Sequence, residues 1–378
     1  MPDPFILLAV GDIGPDRAEP ADCFALARDL VRSADLAFCH LDLPLTEGGT
    51  RLPQARHTVR SPIKSAAAMR DAGFSVVSFA SNHCMDWGRE AFQETIGHLE
   101  AAHLTPIGVG RNVAEARAPR FVETAAGTIA FIGACSILPQ AYWAEAARPG
   151  CAPMRAFTVY EQIEHDQPGT PARIHTYAHR EDLAALAEAV RTAKERADVV
   201  IVSLHWGIHF IPAVLADYQH EVAHALIDAG ADAILGHHAH ILKGVEFYRG
   251  KPIFHSLGNF AIDLRMDPEH ARSKGFREIQ ALSPGWEPDF GSLYNFPPDS
   301  RMTILARLEL AGGQLVGTGF VPAWINRDAQ PEPLGPSDPR FAQVTDYLDR
   351  VGREAGLATR LVVNGAYVDL LPAEDAAG

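Results

Sequence analysis

Five short apolar runs in this chain each stop at a residue able to bind a metal, and that repetition constrains the fold more than any other feature. FILLAV (5–10) leads to Asp12, and LAFC (36–39) to His40 and Asp42. VVSFAS (76–81) leads to Asn82 and His83, DVVIVSL (198–204) to His205, and DAILG (232–236) to His237, His238 and His240. Runs this short, apolar throughout and rich in Val, Ile and Phe read as strands buried on both faces. Stretches of helical character separate them, at 22–34, 64–73, 90–103, 180–197 and 218–230. The alternation predicts an α/β chain with helix-covered sheets. Ligands in such folds bind at the carboxyl ends of the strands, so five strand ends bring these polar side chains to one place. Each end alone has a bland explanation: a Gly-Asp turn, a helix cap, a hydrogen-bonded histidine. Together they share one ligand chemistry. Carboxylates, imidazoles and an amide oxygen, without thiolate, suit Mn, Fe, Zn, Mg or Ca better than a structural zinc site.

Spacing sharpens the expectation for the last run. On an extended strand, His238 and His240 lie on one side and His237 on the other. The histidine pair is then expected to face a metal, and His237 to pack or support.

Composition excludes several alternatives. The net charge is −14, from 47 acidic and 33 basic residues, with no basic run longer than a pair. Nucleic-acid binding draws most of its affinity from phosphate neutralisation, so no nucleic-acid partner is expected. The five cysteines are odd in number, scattered and free of any C-x-x-C pair, as expected of free thiols in a reducing compartment. The six-residue run FILLAV is too short for a signal-peptide core, and no segment approaches the 18 apolar residues of a membrane span. A cytoplasmic location without a membrane span is the expectation. In the last third, 301–326 alternates around a glycine turn and predicts an antiparallel hairpin. Segments 138–176 and 263–300 are rich in Pro, Gly, Asp and aromatics and are expected as substrate-facing loops. One domain over 1–330 is expected, with 331–378 as an extension ending in the disordered tail PAEDAAG.

The order GD, HLDLPLT, SNHCMDWG, SLHWG, GHHAH, HSLGNF over residues 5–262 resembles the CapA-type proteins of poly-γ-glutamate capsule synthesis, in the calcineurin-like metallophosphoesterase superfamily. GVGRNVAEARAP (108–119) adds to the match. The resemblance implies a four-layer αββα sandwich, here with an added C-terminal hairpin region, and one or two divalent metal ions at the strand ends. Residue by residue, it implies a first metal on Asp12, Asp42 and His240, and a second on Asp42, Asn82, His205 and His238. His83 takes the place of the proton donor, and His237, His255 and Asn259 lie around the ligands; Asp86 is expected either to cap the helix that begins near Arg89 or to orient His83. Gly14 stands where the superfamily has a histidine ligand, one that CapA-type chains commonly lack, and the chain departs from the family itself at His40, which replaces Asn, and Asp42, which replaces Glu.

Three activities are compatible with these residues. One is metal-dependent hydrolysis of a phosphoester, or of an amide in a small-molecule, peptide or polyglutamate-like substrate. Another is epimerisation at a peptide Cα, with Asp12 and His240 as the acid–base pair. The third is a non-catalytic accessory role in capsule-polymer synthesis, against which the missing membrane anchor counts.

Overall fold

The apolar runs become strands because alternate residues have different cores to enter. In β1 (Phe5–Gly14), Leu7 and Ala9 join one cluster while Leu8 and Val10 join another. The same split recurs in β2 (Leu36–Leu41), where Phe38 faces one way and Ala37 and Cys39 the other. The computed structural model describes residues 3–55 and 59–373, so most of PAEDAAG lies outside the described residues.

Two sheets face each other. The ten-stranded sheet takes β1 and β2 together with β3 (Val76–Ser78), β4 (Thr105–Ile107), β15 (Asn259–Ile262), β16 (Met302–Ala311), β17 (Gln314–Ile325), β18 (Pro331–Pro333), β19 (Thr359–Asn364) and β20 (Tyr367–Pro372). The six-stranded sheet contains β6 (Arg120–Thr124), β7 (Gly127–Cys135), β11 (Val199–His205), β12 (Ala233–His237), β13 (Val245–Tyr248) and β14 (Lys251–Phe254). β1 runs parallel to β2 and β15, and β11 runs parallel to β7 and β12. The expected 301–326 hairpin is the antiparallel pair β16–β17.

The layer between the sheets holds Leu7, Phe38 and Val76 against Phe131, Ile201 and Leu235. Phe38 and Phe131 stack there at 6.1 Å, each fully buried ring contributing about 1.5–3 kcal/mol of transfer free energy. The outer face of the large sheet is covered by α1 (Arg28–Arg32), α2 (Ser65–Ala72) and α3 (Gly88–Ala101), through Val31, Met69, Phe92 and Leu99. The outer face of the small sheet carries α4 (Val113–Arg117), α5 (Arg180–Lys194) and α6 (Asp217–Asp228), through Ala116, Leu186, Val190, Val222 and Leu226. The result is the αββα sandwich. All five cysteines are buried and unpaired, and among the described residues no helix is long and apolar enough to cross a membrane.

Three segments differ from their sequence expectation. Residues 22–34 form a 3-10 turn (Pro20–Phe24) and the short α1 instead of one helix, because burying Cys23, Phe24, Ala27 and Val31 outweighs helix propensity there. The two expected loops are partly regular. Residues 138–176 contain β8 (Gly150–Cys151), which pairs with β5 (Val109–Gly110), and the strands β9 (Ala156–Glu161) and β10 (Arg173–Ala178). Residues 263–300 contain α7 (Lys274–Gln280) over a small core of Met266, Phe276 and Trp286. Beyond 330, β18, β19 and β20 extend the large sheet, and α8 (Pro339–Glu354) buries Phe341, Val344 and Leu348 in the layer between the sheets. That segment shares the domain's core.

One buried charge ties the outer layer together. Asp182, in the first turn of α5, accepts from Arg155 Nε at 2.5 Å, Arg155 N at 3.0 Å and Arg117 Nη2 at 2.9 Å. Burial pushes its carboxyl up, but these bonds and the two guanidinium charges outweigh it and hold the group below the ordinary range. The stabilisation is therefore complete above the unfolded-state value, about 3.9 for Asp, and is lost as pH falls through the native value. Asp182→Asn is expected to cost about 2 kcal/mol at pH 7 and to flatten the acid limb of stability. Urea midpoints for both proteins at pH 7 and pH 3 check this; an equal gap at both pH values would refute it.

Candidate metal centre

Asp12 is placed by a close approach that only glycine permits. A Cβ on Gly11 would lie 1.9 Å from the Gly258 carbonyl oxygen, the same oxygen that accepts the Asp12 N–H at 3.1 Å. The register of β1 shifts at this point against both β2 and β15. Asp12 thus sits fully buried between His40 on β2 and Asn259 on β15. His205 ends β11 and His237 ends β12, directly opposite each other in register.

The histidine pair arrives by a different route from the one its spacing implied. β12 ends at His237, and His238 and His240 follow with φ of +89° and +56°. Left-handed backbone costs a non-glycine residue roughly 1–2 kcal/mol, and such strain concentrates at functional sites. A turn, rather than strand alternation, points these rings inward. His237 is not turned away either, since its Nδ1 lies 3.5 Å from Asp12 Oδ1 and its ring stacks on His40 at 4.4 Å.

The expected ligands converge in two overlapping groups. Donor atoms of Asp12, Asp42 and His240 lie within 4.8 Å of one another, and Asp12 Oδ2 is 3.2 Å from His240 Nδ1. Around His205 Nε2 stand Asn82 Oδ1 at 2.6 Å, His238 Nδ1 at 3.0 Å and Asp42 Oδ1 at 3.9 Å. Asp42 belongs to both groups, as a bridging carboxylate must, and Ser81 Oγ holds its Oδ1 at 2.5 Å.

Two residues that sequence reasoning left out of the ligand set join this place. His40 lies fully buried between the His205 and His237 rings, at 4.7 and 4.4 Å, and forms a third donor group with Asp12 and His205. His209 stacks on His238 at 3.9 Å and reaches the His240 ring at 5.3 Å. No motif marks His209. For His40 the signal was present, since it shares the HLD tripeptide with Asp42.

Electrostatics favour a cation here. Both oxygens of Asp12, both ring nitrogens of His40 and of His237, and Nδ1 of His205 are buried without a hydrogen-bond partner, an arrangement costly for a site made only of protein. Burial, with neighbouring imidazoles, pushes His40, His205, His209 and His238 well below the ordinary histidine value. Neutral imidazole is the form that ligates metal. Burial works to raise Asp12, but the nearby His237 and His240 imidazoles leave it well below the ordinary value. Burial and the charge of Asp12 push Asp42 up to about 6. These donors fit one or two divalent metal ions.

Supporting residues surround the donors. His240 Nδ1 donates to Asn259 Oδ1 at 2.7 Å, and Asn259 Nδ2 donates to Tyr294 Oη at 2.7 Å. Such outer contacts orient a ligand ring. His83 Nδ1 lies 2.7 Å from Asp86 Oδ2, and Tyr142 Oη donates to Asp86 Oδ1 at 2.8 Å. Burial lowers the His83 value, but the Asp86 bond and the charge of Asp42 push it up to about 9. Asn82 Nδ2 is 3.0 Å from His83 Nε2. With the amide nitrogen donating, the ring is neutral and Asn82 Oδ1 faces His205; the charged ring calls for the rotated amide. His255 lies elsewhere, its ring against Glu246, Trp206 and His220. Lys243 is buried, and its ammonium donates to the carbonyls of Ile211 and Val214, which ties down the loop bearing His209.

Residues 6–264 match the family model described as bacterial capsule synthesis protein PGA_cap. A Sinorhizobium fredii protein, y4uA, is 32% identical over 69% of this chain and 67% of its own length. The PGA biosynthesis protein CapA of Bacillus subtilis is 27% identical over 64% of this chain and 56% of its own. Among solved structures, a Mycoplasma pneumoniae phosphatase aligns with a TM-score of 0.45 at 14% identity, over 91% of this chain and 98% of that one. With a family model spanning residues 6–264, the chain belongs to the PGA_cap family of bacterial capsule synthesis proteins.

Proposed function

We propose that this centre holds one or two divalent metal ions and that the chain is a metal-dependent hydrolase. The bond cleaved is a phosphoester, or an amide in a peptide or polyglutamate-like substrate. The observation that carries the reading is the buried carboxylate Asp42, whose atoms lie within reach of both donor groups at once. When bound, such cations supply Lewis-acid stabilisation of developing charge and acidify water enough to make a nucleophile at neutral pH. The chain's own part is to hold the donors, exclude bulk water and deliver a proton. His83 is assigned the proton for the leaving group, since Asp86 holds its ring beside Asn82 at the edge of the donor set.

An anionic substrate is supported by the surface beyond the donors. A groove of about 550 Å³ is lined by Asp16, Arg17, Pro62, Lys64 and Arg265. Asp16 and Arg265 lie just past the ends of β1 and β15, the strands that carry Asp12 and Asn259. Arg17 is held by Asp263 and Lys64 by Glu19, so the positive charge this groove offers a phosphate or a run of carboxylates comes chiefly from Arg265. The name of one relative, the PGA biosynthesis protein CapA of Bacillus subtilis, is consistent with the second.

Metal content measured by mass spectrometry on untagged protein tests the reading. One or two divalent metals per chain are expected, falling in His238→Ala, together with turnover of phosphoester or γ-glutamyl amide probes. Bound metal without turnover of any probe would favour an accessory role in polymer synthesis. Solvent deuterium entering a peptide Cα without cleavage would replace hydrolysis by epimerisation.

A further inference from the structure

A second cluster of metal-binding side chains lies outside the centre and shares no residue with it. His220 and His224 stand one turn apart on α6 and so share a face. Glu246 comes from β13, and His255 follows β14. Glu246 Oε2 lies 3.1 Å from His220 Nδ1 and 3.0 Å from His255 Nε2, while its Oε1 lies 2.5 Å from His224 Nε2. Donor atoms of His220, Glu246 and His255 fall within 4.8 Å of one another.

The plain alternative is a carboxylate solvated by three imidazole N–H groups. Three features favour a cation. The first is the ratio: three imidazoles crowd on a single carboxylate, and the ligand type matches the two-histidine, one-carboxylate sets that bind zinc with a position left open. The second is preorganisation. His255 is buried, stacked on Trp206 at 5.9 Å and 18°, with its Nδ1 lacking a hydrogen-bond partner. His224 lies flat on Tyr248 at 3.8 Å and 6°. The third is spacing. Tetrahedral bonds of about 2.0 Å put neighbouring donors ~3.3 Å apart, so the present gaps to His220 and His255 need only open by a few tenths of an ångström. The His220 side chain, 37% exposed, has room to give, and a cation can enter from that side.

We propose that His220, Glu246 and His255 form a second divalent-cation site of the zinc class, with His224 steadying the free oxygen of Glu246. Its position indicates a bracing role. Trp206, which stacks on His255 and donates Nε1–H to the His255 carbonyl at 3.0 Å, follows His205 of the first centre directly. A cation here cross-links α6, β13 and β14 behind that strand end.

The test separates this site from the first. In an Asp42→Asn/His238→Ala protein dialysed against zinc, about one zinc per chain is expected to remain. Adding His220→Ala and Glu246→Gln is expected to remove it, and to abolish a zinc-dependent rise in melting temperature. Zinc content unchanged by the added substitutions, or absent before them, would overturn the proposal. Anomalous scattering from zinc-soaked wild-type crystals gives an independent reading that does not depend on the variants folding. A peak between His220, Glu246 and His255 is expected; its absence beside a filled first centre would also overturn the site.

Discussion

Asp42→Asn is expected to reduce hydrolysis by about 10³-fold or more while leaving the protein folded. The magnitude follows from what a bound cation contributes to the transition state, several kcal/mol, at tenfold per 1.4 kcal/mol. The retained fold follows from local charge. Asp42 is almost fully buried, and its carboxyl is pushed up to about 6 by burial and by the charge of Asp12. Removing one of two neighbouring buried carboxylates relieves repulsion, and an Asn oxygen can still accept the Ser81 hydroxyl. The melting temperature of metal-free protein should therefore hold steady or rise, while metal content drops. Mass spectrometry, calorimetry and turnover on the same preparation check all three. Full activity with full metal content would remove Asp42 from the bridging position, and a collapse in melting temperature would make its role structural.

His83→Gln is the second large effect, and its signature is opposite on metal. General acid catalysis contributes about 10²–10⁴-fold, so kcat should fall by that range with the metal content unchanged. Asp86→Asn should produce a smaller loss, about 10–100-fold as for other outer contacts, because His83 keeps its place and loses the partner that raises its proton affinity. Substrates with good leaving groups need no proton from the enzyme, so for them the His83→Gln defect should shrink. Equal defects for good and poor leaving groups would sink the proton-donor role. Loss of metal along with activity would make His83 a ligand instead.

Several expectations met the structure in an instructive way. His238 and His240 do lie near each other, although not for the reason that spacing offered. Strand alternation would have turned His237 away, whereas the chain leaves β12 at His237 and enters positive φ. The His237 and His240 rings therefore reach Asp12, while His238 reaches His205. His209 carried no signal in the sequence because a histidine after a strand looks the same whether water or another ring covers it. His255 sits within the HSLGNF motif, yet its ring turns to Glu246, which lies nine residues earlier and belongs to no motif.

The sequence by itself determined an α/β chain with strands buried on both faces, to which the resemblance added the sandwich, and it named most of the side chains that converge at the candidate centre. Burial of both strand faces requires continuous apolar runs, and a polar residue can follow only where the strand leaves the core. Both features survive in a linear string. Tertiary structure alone decided which candidate donors come within reach of one another, that His40 lies between His205 and His237, and that residues after 330 complete the large sheet. It alone also brought His220, Glu246 and His255 together. These outcomes depend on strand order, on sheet-to-sheet packing and on backbone turns that a linear pattern does not encode. A contact between residues 12 and 259 is set by the Gly258 carbonyl approaching Gly11, a distance that exists only once β15 has paired with β1.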